Sequence, residues 1–127
     1  MDINNHINNV QFARIFEESR VRSFATWLPE RPKDFSVLVA RQEIVFTAVL
    51  EYSHDPVTVR SCVSRIGTTS FTLSLTLVDP AGTTCGVAET TMVSVDPATG
   101  RPTPVPDAVR SILESQLVVG AGLPVRS

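Results

Sequence analysis

Residues 8–28 (NNVQFARIFEESRVRSFATWL) carry apolar side chains at helical spacing. At 100° per residue, Phe12, Ala13, Phe16, Val21, Phe24, Ala25, Trp27 and Leu28 fill one wide arc. Gln11, Glu18, Ser19, Arg22 and Thr26 fall mostly opposite, with Ile15 an apolar exception among them. So broad an apolar face predicts a helix largely enclosed by other structure. Asn8 fits as its N-cap, with Gln11 three residues on as the second half of a capping box. Pro29 and Pro32 close the helix.

The pattern then changes period. Residues 36–51, 57–66, 69–79 and 83–96 are rich in Val, Thr, Ile and Phe and read as strands. The third alternates almost strictly, with Phe71, Leu73, Leu75 and Leu77 on one face and Thr72, Ser74 and Thr76 on the other. Turn chemistry separates the runs at His54-Asp55-Pro56, Gly67-Thr68 and Asp79-Pro80-Ala81-Gly82. Short links imply antiparallel neighbours and hence a four-stranded meander. Residues 106–117 then place Val109, Ile112, Leu113 and Leu117 at helical spacing, with Pro106 near the start. The tail from residue 118 is expected to be loosely held. The predicted class is α+β: one antiparallel sheet whose apolar face wraps one long helix. Its open edges favour pairing into a dimer.

Length and composition narrow the functions. With 127 residues the chain reads as one domain, 1–127. A hydrophobic share of 43% against 19% charged residues is a globular balance. Eleven basic and thirteen acidic residues, with no basic stripe, give no electrostatic footprint for nucleic acid. No apolar run reaches the ~18 residues of a membrane span. The first residues also lack the pattern of a secretory signal, so a cytoplasmic location is expected. Cys62 and Cys85 form no CxxC pair and come with only His6 and His54, so a metal site is not expected. Both cysteines read as small core residues in a reducing compartment.

Chemistry concentrates before the long helix, where Asp2, Asn4, Asn5, His6, Asn8 and Asn9 cluster. A helix start presents backbone N–H groups without intrahelical partners, plus the positive end of the macrodipole. Here those amides belong to Asn9, Val10 and Gln11, close to a carboxylate and an imidazole. Such a set either caps and turns the chain or stabilises negative charge developing on a carbonyl oxygen. Glu17 and Arg20 fall within the apolar arc. Glu17 is either an ion-pair partner of Arg20 or Arg14 or a second carboxylate lining a pocket. His6 either orders the loop through a backbone carbonyl or donates to substrate, and His54 reads as an exposed turn residue.

Asp2-Ile3-Asn4-Asn5-His6-Ile7-Asn8-Asn9, then Phe12, then Phe16-Glu17-Glu18-Ser19-Arg20, resembles the DxxGHVNNxxYxxxFExxR signature of the 4-hydroxybenzoyl-CoA thioesterase-like hotdog proteins. Arg65-Ile66-Gly67-Thr68-Thr69-Ser70 is similar to the turn before that family's fourth strand. Val95-Asp96-Pro97-Ala98-Thr99-Gly100-Arg101-Pro102 with Pro106 is similar to its link to the C-terminal helix. The resemblance spans nearly the whole chain. It implies a hotdog fold and hydrolysis of an acyl-CoA thioester without a cofactor. It also implies a homodimer or dimer of dimers with the active site between subunits.

Carried over by position, the resemblance makes Asp2 the nucleophile or the general base for water. The Asn9 N–H becomes the oxyanion donor. Arg60, Arg65, Thr68, Thr69 and Ser70 become candidates for contact with the CoA phosphates, for which arginine forks are suited. The sequence departs from the signature at three points. Met1 directly precedes Asp2 where the family carries a strand, so the expected fold lacks a first strand. Asn5 replaces a Gly, and Phe12 replaces a Tyr. Two further readings stand beside hydrolysis: a non-catalytic acyl-CoA-binding module on the same fold, and a hotdog hydratase or dehydratase, for which no second motif is found.

Overall fold

The computed structural model describes residues 9–30, 32–48, 50 and 56–121. A long helix, α1 (Asn9–Trp27), is followed by β1 (Ser36–Phe46), β2 (Thr58–Ile66), β3 (Ser70–Val78), β4 (Thr84–Val95) and a short helix, α2 (Asp107–Ser115). Each predicted element is present; β1 stops at Phe46, short of the predicted end. The Asn8 cap and the His54 turn lie outside the described residues.

All strand pairs are antiparallel, but the order is β1-β4-β3-β2, not a simple meander. Strands β2, β3 and β4 follow one another through tight turns. In the first, Gly67 N–H donates to the Ser70 carbonyl (2.7 Å). In the second, Asp79 Oδ1 accepts from the Ala81 and Thr83 amides (2.9 and 2.8 Å) while Gly82 takes φ 91°. Strands β1 and β2, though consecutive, lie at opposite edges of the sheet: β1 pairs with β4 and β2 with β3.

The register puts Phe71, Leu73, Leu75 and Leu77 of β3 beside Met92, Thr90, Ala88 and Gly86 of β4 on the face that packs α1. All eight of these positions are buried. Phe12 and Phe16 pack on this face at Gly86, and Phe24 meets Phe71 edge-on with centroids 5.7 Å apart. Phe12 also meets Phe46 in a T-shaped pair at 5.0 Å. Two register shifts interrupt the edge strands, between Val39 and Arg41 and between Val63 and Arg65. Each inserts one residue and reverses the alternation, so Arg41 and Arg65 lie on the outer face while Ile44 and Ile66 face the core.

The helix is less enclosed than its wheel predicts. Phe12, Phe16 and Leu28 are buried and Ile15, Phe24 and Trp27 pack against the core, but Val21 is 59% exposed and Ala25 is exposed. Four strands curl over one side of a helix only, so the arc's far flank stays open in a single protomer. Ile15, the exception on the wheel, packs inward.

Helix α2 buries Val109 and Leu113 and is tied to the β2–β3 turn. The Arg110 guanidinium donates to the carbonyls of Gly67 (2.7 Å) and Thr68 (3.1 Å). Both acceptors are carbonyls held by a charged donor, so Arg110→Ala is expected to cost about 1.5–3 kcal/mol in urea unfolding. The tail is better held at its start than expected. Residues 116–118 lie against the β2 edge, with Val63 N–H donating to the Gln116 carbonyl and Val118 N–H to the Val63 carbonyl, both at 2.9 Å.

Candidate active site

Asp2 and His6 lie outside the described residues, and Asn9 is the first residue of α1. The first turn of a helix directs amide N–H groups outward, away from any intrahelical acceptor. The Phe12 contacts with Phe46 and Gly86 seat this end of α1 over the end of β1 and the start of β4. Gly86 is what permits that approach: a Cβ there would stand 3.2 Å from Phe12 Cε1 and 3.5 Å from Phe16 Cζ. Glu17, about two turns after Asn9, is exposed rather than turned into the core, and among the described residues it forms no ion pair with Arg14 or Arg20.

The proposed phosphate contacts divide between two places. Arg60 is exposed on β2, opposite Thr76, on the outer face near the Asn9 end. Thr68, Thr69 and Ser70 form the β2–β3 turn at the other end. Their carbonyls hold the local structure: Thr68 accepts from Val105 N–H (3.0 Å), Thr69 from Ser94 N–H (2.7 Å) and Ser70 from Gly67 N–H. Their hydroxyls make no hydrogen bond among the described residues. Arg65 is exposed beside this turn and borders a small polar depression on the outer face, shared with Arg41, Glu89, Thr72 and Thr91. Of its lining residues, Arg41 pairs with Glu43 outside the depression (2.6 Å), and the Thr72 and Thr91 hydroxyls lie 3.0 Å apart.

Within one protomer the start of α1 and the turn are far apart. Gly86 marks the first and Val93, paired with Ser70, marks the second. Along β4 that is roughly 23 Å of strand at about 3.3 Å per residue. The Asn9 amide and the Thr68–Ser70 turn therefore do not meet within a single chain.

An apolar groove of about 440 Å³ opens between α1 and β1. Val21 and Ala25 of α1, Leu28 just after it, Val37 and Val39 of β1 and Met92 of β4 line it. This lining escaped the sequence pattern, which assigned Val21 and Ala25 to a buried arc; only the curl of the sheet leaves them facing open space. The cysteines are not candidates for nucleophilic chemistry. Burial pushes the Cys62 thiol up, and burial followed by the Asp79 carboxylate does the same at Cys85, away from the reactive thiolate. Cys85 is a core residue as predicted, whereas Cys62 is half-buried, and neither forms a disulfide among the described residues. Among the described residues, no helix is long and apolar enough to cross a membrane.

A model of the thioesterase-like superfamily matches residues 1–113. Among solved structures, one named a predicted thioesterase from Bacillus stearothermophilus is 28% identical, with a TM-score of 0.80 over 94% of this chain and 90% of that one. A thioesterase from Thermus thermophilus, complexed with coenzyme A and zinc, is 25% identical, with a TM-score of 0.74 over 91% and 85% of the two chains. A thioesterase-superfamily protein from Jannaschia is 19% identical with a TM-score of 0.82, covering 93% and 85%, a likeness of fold alone. No curated protein matches the chain. The sheet wrapped around α1 is the hotdog arrangement expected from the sequence. Its described residues hold four strands, and the expected lack of a strand before Asp2 concerns a stretch outside them.

Proposed function

The chain belongs to the thioesterase-like superfamily, and from that premise we propose that it is a cytoplasmic homodimer, or dimer of dimers, that hydrolyses acyl-CoA to the free acid and CoA. The observation that carries the reading is the outer edge of β1, unpaired among the described residues, beside the start of α1. Leu38, Val39 and Phe46 on β1, with Val10 and Val21 on α1, are exposed along this side. Antiparallel pairing of β1 with its copy brings the Phe46 end of one protomer beside the Ser36 end of the other. The Asn9 amide of one chain then lies near the groove of its partner, at the end of the sheet that carries the partner's β2–β3 turn. Two half-sites 23 Å apart in one chain become one site in two.

In this site Asp2 attacks the thioester carbonyl, or takes a proton from the water that attacks it. The carbonyl oxygen gains negative charge as the tetrahedral intermediate forms. The Asn9 N–H, at the positive end of the α1 dipole, donates to that oxygen, and one such donor is worth about 3–4 kcal/mol in the transition state. Collapse breaks the C–S bond. Where water attacked, the free acid forms directly and the proton taken up by Asp2 passes to the leaving sulfur. Where Asp2 attacked, the thiolate takes a proton from water, and a water then hydrolyses the acyl-aspartate anhydride to the free acid. His6 orders the loop that holds Asp2. Arg65 with Thr68, Thr69 and Ser70 of one protomer, and Arg60 from the outer face, supply donors for the CoA phosphates. Glu17 is a second carboxylate on the same helix.

The test is a panel of acyl-CoAs with a colorimetric readout of free thiol. Thiol release above the uncatalysed rate from at least one of them is expected. Complete absence of release across the panel overturns hydrolysis, and acyl-CoA binding without release would instead favour the non-catalytic binding module.

A further inference from the structure

Resting on that reading, we infer that Arg110 is a positioning residue for CoA: from behind the β2–β3 turn it fixes the Gly67–Thr68 peptide so that the Thr68 N–H faces a CoA phosphate. The carbonyls along this turn are held by the protein. Thr69 accepts from Ser94 N–H (2.7 Å), and Thr68 accepts from both Val105 N–H (3.0 Å) and Arg110 Nη2 (3.1 Å). The Gly67 carbonyl has one donor among the described residues, Arg110 Nη2 at 2.7 Å. In a trans peptide the N–H points opposite to the C=O. Holding the Gly67 and Thr68 carbonyls toward α2 therefore turns the Thr68 and Thr69 N–H groups away from it. Neither N–H has an acceptor among the described residues.

Gly67 makes the first of these peptides soft. Without a Cβ it lets the Gly67–Thr68 plane tilt through a wider range than another residue would, and a tilted plane carries the Thr68 N–H away from its ligand. Arg110 removes that freedom. Its own place is fixed, because Val109 and Leu113 on α2 are fully buried and the Arg110 N–H donates to the Pro106 carbonyl (2.8 Å). The guanidinium charge behind the peptide also polarises it and strengthens the N–H as a donor. Backbone acceptors thus face α2 and backbone donors face away, the arrangement by which successive N–H groups receive an anion. Arg65 is exposed beside the same turn. If the brace served stability alone, ligand binding to the folded protein would not depend on it.

The test follows the Thr68 and Thr69 amides by NMR on the intact protein as CoA is added. Both amide protons are expected to move downfield with CoA and to stay in place with pantetheine, which lacks the phosphates. Arg110→Met keeps the stem and removes every donor, and is expected to weaken CoA about tenfold or more by calorimetry. At CoA saturation it should lose the Thr68 response and keep that of Thr69, whose peptide Val105 still holds. Spectral dispersion of the same sample shows whether the variant is folded, so lost stability alone moves neither readout. A Thr68 proton in the unmodified protein that ignores CoA overturns the inference, and so does a folded Arg110→Met protein that keeps either the affinity or the Thr68 response. Arg110→Lys keeps the charge without the planar fork. Affinity restored there without the Thr68 response overturns the inference, because the arginine then acts by charge alone; affinity and response that fall or return together support it. Where Arg110→Met does not fold, the unmodified protein and Arg110→Lys decide. Thiol release without a Thr68 response overturns this inference alone, whereas a Thr68 response without thiol release from any acyl-CoA overturns hydrolysis alone.

Discussion

Replacing Asp2 with Asn is expected to lower kcat about 10²–10⁴-fold on any acyl-CoA that the unmodified protein hydrolyses, with the unfolding midpoint unchanged. The substitution keeps the size of the side chain and its ability to accept a hydrogen bond. It removes the negative charge and the basicity that attack on a carbonyl, or activation of water, requires. The Asn9 amide is a backbone group and survives the change, so binding is retained and the loss falls on kcat rather than on KM. Kinetics on a good substrate, with a urea or thermal unfolding curve of the same preparation, check both halves. Unchanged turnover would remove Asp2 from the chemistry and direct attention to Glu17, whose exposure on α1 leaves it accessible to a ligand. Glu17→Gln then becomes the decisive variant.

Gly86→Val is expected to weaken folding by about 1–3 kcal/mol and to reduce turnover roughly 100-fold. Both effects have one cause. The Cβ alone would approach Phe12 Cε1 to 3.2 Å, and the two methyl groups of Val extend further into the space held by the Phe12 and Phe16 rings. Both rings belong to buried residues between helix and sheet, with no solvent to move into. The first turns of α1 must lift, and the amide proposed to meet the substrate oxygen lifts with them. A displacement of about 1 Å in a reacting geometry costs on the order of 10²-fold. Gly86 does not adopt a positive φ, so the penalty comes from the contact and not from backbone strain. Gly86→Ala, whose single methyl needs the Phe12 ring to give by only tenths of an ångström, should show a smaller loss in both measurements. A stable Gly86→Val protein with full activity would mean that the position of the helix start does not govern the reaction.

Much of the architecture is legible from local chemistry. The 3.6-residue period of 8–28, the strict alternation of 69–79 and the turn residues at Gly67 and Asp79 each act over a few residues, and each element appears where these signals put it. The candidate site is legible in part for the same reason, because Asp2, His6 and Asn9 form one contiguous stretch before a helix. Three features were not. The place of β1 beside β4 depends on pairing between residues roughly fifty positions apart, which no local pattern records. The inserted residues near Ala40 and Ser64 reverse the alternation, so Arg65 faces outward because of a bulge that only cross-strand pairing reveals. The open flank of α1 depends on how far four strands can curl.

The chain's own pattern determines a long amphipathic helix, an antiparallel sheet and an acidic, amide-rich helix start, because hydrophobic spacing, turn propensity and capping are local forces. Tertiary structure alone decides that Gly86 admits the helix onto the sheet, that the Asn9 end and the Thr68–Ser70 turn lie at opposite ends of one protomer, and that Val21, Val39 and Met92 bound a common groove. Those are relations between residues distant in sequence, and packing brings them together or holds them apart only once the strands have found their register.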